Sequence, residues 1–147
     1  MTTKATSAQG VQLKRGDGAT SESFTKIAEQ IDWKGPSRKA NTIDATSFDS
    51  TSMESIGGLP DQGEVTLNGL FVGTDAQQAG LITDFNAQTL RNYQLVLNDQ
   101  PSGGSRPTSE AFAARVTSYE FGGAVNQAVK FSVTLKITGG STRTNAA

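Results

Sequence analysis

The stretch KFSVTLKITG, residues 130–139, decides the fold because its side chains alternate with a period of two. Phe131, Val133, Leu135 and Ile137 are apolar, and the residues between them are polar or charged. Successive side chains of a strand point to opposite faces of a sheet, so this pattern predicts a strand with one buried face. The chain is therefore expected to contain a sheet with one face on a core and one face in water.

Further segments extend this sheet. In EAFAARVTSYEF the apolar phase shifts between Val116 and Tyr119, which predicts a β-bulge. The predicted strands lie in residues 11–15, 63–73, 92–99 and 110–121. Together with the strand in residues 128–140 and the segment discussed next, the chain has about six strands. Strands with one wet face close best as a sandwich or a small barrel.

The segment SFTKIAEQIDWKG, residues 23–35, fits two patterns. Phe24, Ile27 and Ile31 match a helical stripe, whereas Ile27, Ile31 and Trp33 also share one face of a strand. Periodicity does not decide between them in so short a segment.

One helix is predicted over TDAQQAGLITDFNAQ, residues 74–88. Thr74 and Gln77 have the spacing of a capping box, and Asp75 suits the positive end of a helix. The side chains expected on the sheet-facing side are Leu81, Ile82 and Phe85. The fold class is thus mainly β with one flanking helix, in a single domain over residues 1–147.

The composition excludes several kinds of catalytic, disulfide and metal-binding chemistry. The chain contains no Cys and no His, so disulfides, the commonest general base and the commonest metal ligand are excluded. No run of about 18 apolar residues exists, and residues 1–10 lack the apolar region of a signal peptide. We therefore expect a cytoplasmic product without cofactor or metal.

Three short motifs invite a catalytic or binding interpretation. Ser23 and Lys26 form an S-x-x-K without its companion motifs, and residues 16–18 form a Gly-Asp-Gly that reads better as a turn. Asp44 and Asp49 are close in sequence but lack the ligand ladder of a calcium loop. We expect that the protein is not an enzyme.

Charge is distributed unevenly along the chain. Residues 41–90 hold seven Asp/Glu and no Lys/Arg, whereas residues 1–40 hold seven Lys/Arg and four Asp/Glu, and residues 91–147 hold six and three. The distribution either reflects a solvated surface or pairs an acidic surface with a basic surface of another copy. Such complementarity would fix orientation more than affinity.

The segment PSRKANTIDATSFDSTSMESIGGLPDQG, residues 36–63, has few large apolar residues and no clear period. It predicts a connection without regular secondary structure. Connections longer than about 12–15 residues are usually functional or disordered.

The order of these blocks, from GPSRKANTIDATSFDS through GLPDQGEVTLNGLF, the helix and AARVTSYEF to VKFSVTLKITG, resembles the major tail tube proteins of long-tailed bacteriophages. The resemblance covers about residues 9–139. More distantly, the chain is similar to tube proteins of contractile tails and type VI secretion systems. The resemblance implies a β-sandwich or half-barrel of about six to eight strands with one α-helix, and a strand within residues 23–33.

The family's role implies a structural subunit. Six copies would form a ring whose sheets join into an inner barrel, and stacked rings would form the conduit for DNA ejection. The implied partners are other copies of the chain and the tail tip, tape measure and tail terminator proteins. DNA would pass without specific binding, and no small-molecule substrate is implied. The implied location is the virion tail, assembled in the host cytoplasm.

The resemblance also implies that residues 36–63 are an inter-subunit arm. Ordering about 25 residues without a core costs about 1–2 kcal/mol each, which a partner surface can offset. A solvent-exposed loop is the alternative. Flexible tails, with inter-ring contacts, are expected at residues 1–8 and 140–147. The candidate arm residues are Arg38, Lys39, Ile43, Asp44, Phe48, Asp49, Met53, Ile56 and Leu59.

The tube's lumen must let phosphates slide, so the resemblance implies an acidic lining. The candidates are Glu64, Thr66 and Asn68, and Lys130 and Lys136 argue against a luminal position for their own strand face. Two alternatives stay open. One is a related tube or ring protein that does not extend, and the other is a β-sandwich binding module with clustered aromatic residues around a pocket.

Overall fold

The computed structural model describes residues 3–147 and contains nine β-strands and one α-helix in this part of the chain. The elements are β1 (Gln12–Gly16), β2 (Phe24–Lys26), β3 (Gln30–Lys34), β4 (Lys39–Asp44), β5 (Ser55–Asp61), β6 (Glu64–Leu70), α1 (Ala76–Ala87), β7 (Arg91–Val96), β8 (Ser109–Gly122) and β9 (Lys130–Thr144).

Seven strands form one antiparallel sheet in the order β2-β1-β7-β8-β9-β6-β3, and β4 pairs only with β5. The strands at the two ends of this order, β2 and β3, follow each other in the chain. The sheet therefore curls so that its two ends approach each other without pairing, which makes a half-barrel. The mainly-β fold with one helix is confirmed.

Gln30 closes the gap between β1 and β3. Its Oε1 accepts from the main-chain N–H of Leu13 at 2.9 Å, and its Nε2 donates to the carbonyls of Leu13 and Ile27 at 2.8 and 2.7 Å. The side-chain amide thus supplies bonds that a neighbouring strand would otherwise make.

The core fills the concave side of the sheet. As predicted, Phe131, Val133, Leu135 and Ile137 are buried on β9. The bulge predicted in β8 is confirmed, because the β8–β9 register shifts between Val116 and Ser118. The other buried apolar residues are Leu13, Ile27, Val65, Leu67, Leu81, Tyr93, Leu95, Phe112, Ala114 and Val116.

Residues 23–35 form two short strands and not one. Glu29 has a φ of 55°, which breaks the extended conformation between β2 and β3. Ile27 is buried, but Ile31 is 54% exposed, so these residues do not share one face as the strand pattern predicted.

Helix α1 differs from the prediction at its cap and on its face. The N-cap is Asp75, whose side chain accepts from the N–H of Gln78, and the expected box of Thr74 and Gln77 is not the cap. The buried side chains are Gln78, Leu81 and Asp84, while Ile82 and Phe85 are 38% and 40% exposed. Asp84 of the helix pairs with Arg15 and Arg91 of the sheet, and these ion pairs determine which face of the helix is buried.

The prediction of no regular structure in residues 36–63 is wrong. β4 and β5 form an antiparallel hairpin in which Ile43 lies opposite Ile56, with a register shift between Ala40 and Thr42. Backbone pairing needs no apolar face, so the hydrophobic pattern gave no sign of it.

The C-terminal segment is not a free tail. β9 continues to Thr144, which lies opposite Ser109 of β8, and the main chain of Ala147 bonds to Ser105 and Arg106. Strand pairing tolerates polar side chains at an exposed position, which explains the order of this polar sequence. In the N-terminal segment, residues 3–8 are exposed without regular structure, and residues 1–2 of that prediction lie outside the described residues.

Candidate assembly surfaces

The arm, residues 36–63, presents its apolar side chains to solvent. Phe48, Met53 and Leu59 are 110%, 85% and 88% exposed, and the cross-strand pair Ile43 and Ile56 is about half exposed. These five residues were predicted as arm residues, and the hairpin brings them together on one projecting element. Lys39 and Asp44 also lie on β4, and Asp49 lies in the loop between the strands.

The loop at the end of the hairpin is shaped by polar contacts. Thr46 Oγ1 donates to the carbonyl of Glu54 at 3.2 Å and accepts from the N–H of Glu54 at 2.9 Å, while Ser50 Oγ donates to the Glu54 carboxylate. The N–H of Thr46 donates to Asp44 Oδ1 at 2.9 Å, and this bond lowers the pKa of the Asp44 carboxyl. These bonds order the loop without a core.

The base of the arm contacts the half-barrel. Lys136 Nζ lies 3.1 Å from both oxygens of Asp61, and Arg38 Nη2 donates to Ser141 Oγ of β9 at 3.2 Å. The pKa of Asp61 is lowered first by the bond from the N–H of Gly63 and then by Lys136. The two ends of the arm are thus tied to the body while its middle is free of it.

The three candidate lumen residues lie side by side on the convex face of β6. Glu64 pairs across the sheet with Lys136, Thr66 lies between Thr134 and Lys34, and Asn68 Nδ2 donates to Asp32 Oδ1 at 2.6 Å. This face therefore carries both signs of charge and is not uniformly acidic. The luminal assignment of Glu64, Thr66 and Asn68 stays a prediction.

An exposed aromatic group lies at the other end of the half-barrel. The rings of Phe71 and Phe121 stack at 5.7 Å, and Tyr119 lies 6.3 Å from Phe121. Phe121 is 61% exposed, Phe71 is 40% exposed, and Val129 beside them is 44% exposed. We call Phe71, Tyr119, Phe121 and Val129 the aromatic end.

Sequence reasoning missed the aromatic end. A signal was present, because Tyr119 and Phe121 are two residues apart on β8 and therefore lie on the same face. Phe71 joins them only through the pairing of β6, β9 and β8. A groove of about 520 Å³ runs beside this end, lined in part by Ile31, Phe121 and Phe131.

The arm and the aromatic end lie at opposite ends of the same strands. In the β6–β9 pair, Glu64 opposite Lys136 is next to the arm, and Leu70 opposite Lys130 is next to the aromatic end. Six residue steps of about 3.3 Å separate these levels by about 20 Å. Two different apolar surfaces at opposite ends permit a head-to-tail contact between copies.

Residues 3–147 contain neither a candidate metal site nor a candidate membrane-spanning helix. No group of three or more acidic residues is placed to hold a metal ion. No helix in this range is long and apolar enough to cross a membrane.

Solved structures with this fold come from several tube assemblies. The chain is similar to a chain in the tail of the empty gene transfer agent (GTA) particle, determined with C6 symmetry, at a TM-score of 0.75 and 20% identity over 95% of this chain and 99% of that one. It also resembles the SPP1 tail tube, at a TM-score of 0.74 and 14% identity over 96% and 80%.

A contractile assembly shares the fold as well. A chain of the PVC sheath-tube complex, from an extracellular contractile injection system in its extended state, matches at a TM-score of 0.68 and 13% identity over 92% and 88%. At these identities the similarity shows the fold alone.

Sequence comparison with families is more specific. No curated protein sequence matches the chain. The profile of a phage tail tube protein family matches residues 10–143, which is nearly the whole chain. Apart from Thr144, the last residue of β9, the half-barrel, its flanking helix and the long insertion between β3 and β6 lie within this match. The chain therefore belongs to the phage tail tube protein family, as a structural subunit of a tail tube.

Proposed function

We propose that copies of this chain form six-membered rings that stack into the tail tube, and that the arm makes the contact between subunits. The observation that carries this proposal is the exposed apolar set on the arm, with Phe48, Met53 and Leu59 each more than four-fifths exposed. The sixfold number is supported by the C6 symmetry of the GTA tail that shares this fold.

The arm has a physical need for a partner. An isolated two-stranded hairpin is at best marginally stable in water, and β4 and β5 pair only with each other. Fully burying one side chain of the size of Phe or Leu is worth about 1.5–3 kcal/mol. A second copy that covers Phe48, Met53 and Leu59 would therefore stabilise both the hairpin and the contact.

The open edge of the sheet offers a second contact. β3 pairs with β6 on one side and has no strand on its other side in the described part of the chain. An unpaired edge is a template for pairing with another chain, and β2, at the other end of the order, is a second such edge. Pairing between neighbouring subunits would join their sheets around the ring.

Charge favours an arm that lies on a basic surface. Between residues 41 and 63 the charged residues are Asp44, Asp49, Glu54 and Asp61, with no Lys or Arg. Complementary charge steers and orients association, and salt screens exposed pairs. We therefore expect tube assembly to slow as salt is raised.

The remaining role follows from the assembled tube. DNA would pass through the lumen without specific binding, and the tube would meet tail tip, tape measure and tail terminator proteins in the virion tail. Assembly would take place in the host cytoplasm. Support comes from the family and from the tail and injection-system assemblies that share the fold.

Deleting Asn41–Ile56 tests the proposal. The shortened chain is expected to keep the circular dichroism of a folded β protein, because this segment contributes nothing to the core, and to form no tubes by electron microscopy. A Thr51→Ala variant of the full arm is the matched control and is expected to form tubes. Normal tubes from the shortened chain would refute the arm's role.

A secretion-type ring protein is the second candidate, favoured by the match to a contractile injection system. Electron microscopy separates the two. Isolated rings that never lengthen, even when a tail-tip complex is added as a seed, would favour this candidate over a phage tail tube.

A further inference from the structure

We propose that Glu110 is a positioning residue that fixes the direction in which the arm leaves the half-barrel. The proposal rests on the proposed function, in which the arm must reach another subunit, and it adds how the arm is aimed. A hairpin that projects from the body can dock only if its base holds one orientation.

Glu110 is a buried carboxylate at the arm's base. It lies near the start of β8 and is only 5% exposed. Two arginines from separate segments pair with it: Arg38, directly before β4, and Arg143 of β9, whose Nη2 lies 3.4 Å from Oε2. A buried charge is costly unless it is paired, so these contacts are strongly preferred over alternatives.

The other end of the arm reaches the same point. Gln62, directly after β5, accepts from Arg38 Nε at 2.9 Å. Ser141 Oγ lies 3.0 Å from Gln62 Oε1 and 3.1 Å from Glu110 Oε1. A hydroxyl has one hydrogen, so Ser141 donates to one of these oxygens at a time. Arg38 thus contacts the buried carboxylate directly, and Gln62 is connected to it through Arg38 and Ser141.

The other charged contact at the base is weaker. In the pair of Lys136 and Asp61 the side chains are 40% and 60% exposed. Solvent screens such pairs, and most contribute little. The side chain of Glu110 is only 7% exposed, so water does not replace its contacts. These contacts therefore fix the direction of the arm.

Neutralising Glu110 is expected to free the arm without unfolding the body. Arg38 and Arg143 keep 40% and 56% exposed side chains, so both can be hydrated when the carboxylate is lost. The Gln of a Glu110→Gln variant can still accept from Ser141. Glu110 is not one of the apolar residues that form the hydrophobic core cluster.

Spin-label distances measure the arm's direction in the monomer. The chain has no Cys, so Thr51→Cys in the arm and Asn86→Cys near the end of α1 provide two unique labelling sites. Pulsed electron paramagnetic resonance on this pair is expected to show one narrow distance distribution. Adding Glu110→Gln is expected to at least double its width. The matched control is Glu120→Gln, an exposed glutamate on the same strand near its other end, which is expected to leave the width unchanged.

A Glu110→Gln distribution as narrow as that of the parent would overturn the proposal. Should that variant fail to fold, Arg38→Gln, which removes the arm-side partner at an exposed position, is expected to broaden the distribution, and an unchanged width there would equally overturn it. The spin-label distance is measured in the monomer and does not require tubes. The proposal for Glu110 can therefore be refuted independently of the proposed function, which the deletion of residues 41–56 tests.

Discussion

Asp84 of α1 accepts two hydrogen bonds from Arg15 of β1, at 2.9 Å from Nε and 3.1 Å from Nη2, across 69 residues of sequence. Arg91 Nε donates to the same carboxylate at 2.9 and 3.0 Å, and Tyr93 lies beside it. Asp84 is 1% exposed. Burial, and then the charge of Asp84, raises the pKa of the Tyr93 phenol. The helix is thus held to the sheet by a buried charged cluster.

Replacing Asp84 with Asn is expected to lower the free energy of unfolding by about 3–5 kcal/mol. The change leaves Arg15 and Arg91, with side chains only 12% and 18% exposed, without their counter-charge. Urea denaturation measures the loss. The control is Asp49→Asn in the arm, at an exposed position, which is expected to change stability by less than about 0.5 kcal/mol. Equal stability of the two variants would mean that the cluster does not hold the helix.

Replacing Gly80 with Ala is expected to destabilise the protein, although Ala is usually preferred in a helix by about 0.5–1 kcal/mol. A Cβ at this position would lie 2.5 Å from Arg15 Cζ and 2.7 Å from its Nη1. The guanidinium cannot move without losing its bonds to Asp84.

An Arg15→Ala background provides the test for Gly80. Without the guanidinium, Gly80→Ala is expected to become stabilising, and thermal denaturation of the four proteins in this cycle measures the change of sign. A Gly80→Ala effect of the same sign in both backgrounds would contradict the contact.

Replacing Gln30 with Leu is expected to cost about 1–3 kcal/mol for each main-chain group that it leaves without a partner. The N–H of Leu13 and the carbonyl of Ile27 both depend on this side chain. The midpoint of urea unfolding reports the loss, and Gln127→Leu, in the exposed turn before β9, is the matched control. A loss no larger than that of the control would show that Gln30 does not close the sheet.

Replacing Phe48 with Ser is expected to leave the monomer's stability within about 0.5 kcal/mol of the parent and to reduce tube formation strongly. The ring is 110% exposed in the subunit, so its burial can come only from another chain. Light scattering with electron microscopy follows assembly, and circular dichroism follows the fold. Tubes at the parental rate would remove Phe48 from the subunit contact.

Period-two patterns predicted the strands that form the core. Val65 and Leu67 of β6 and the alternating residues of β9 are buried as their spacing requires. The prediction worked because these strands have one face on the core, so each residue's environment follows from its position in its own strand. The bulge in β8 was predicted for the same reason, because it shifts the period-two pattern between Val116 and Tyr119.

The buried face of the helix and the aromatic end could not be predicted from local periodicity. Asp84 is buried against the sheet only because Arg15 and Arg91 pair with it. Phe71 and Phe121 stack only because β6 and β8 both pair with β9. Each depends on residues far apart in the chain. A local window of sequence does not contain their partners.

The amino-acid sequence alone determined a β-rich domain without Cys or His chemistry, with one helix and one long polar insertion, because composition and local periodicity follow from consecutive residues. The tertiary structure decided that the insertion is a projecting hairpin, that Glu110 pairs with Arg38 at its base and that an apolar surface lies about 20 Å away at the other end of the strands. These features arise from strand pairing between distant segments, which brings together side chains whose separation in the sequence carries no signal of contact.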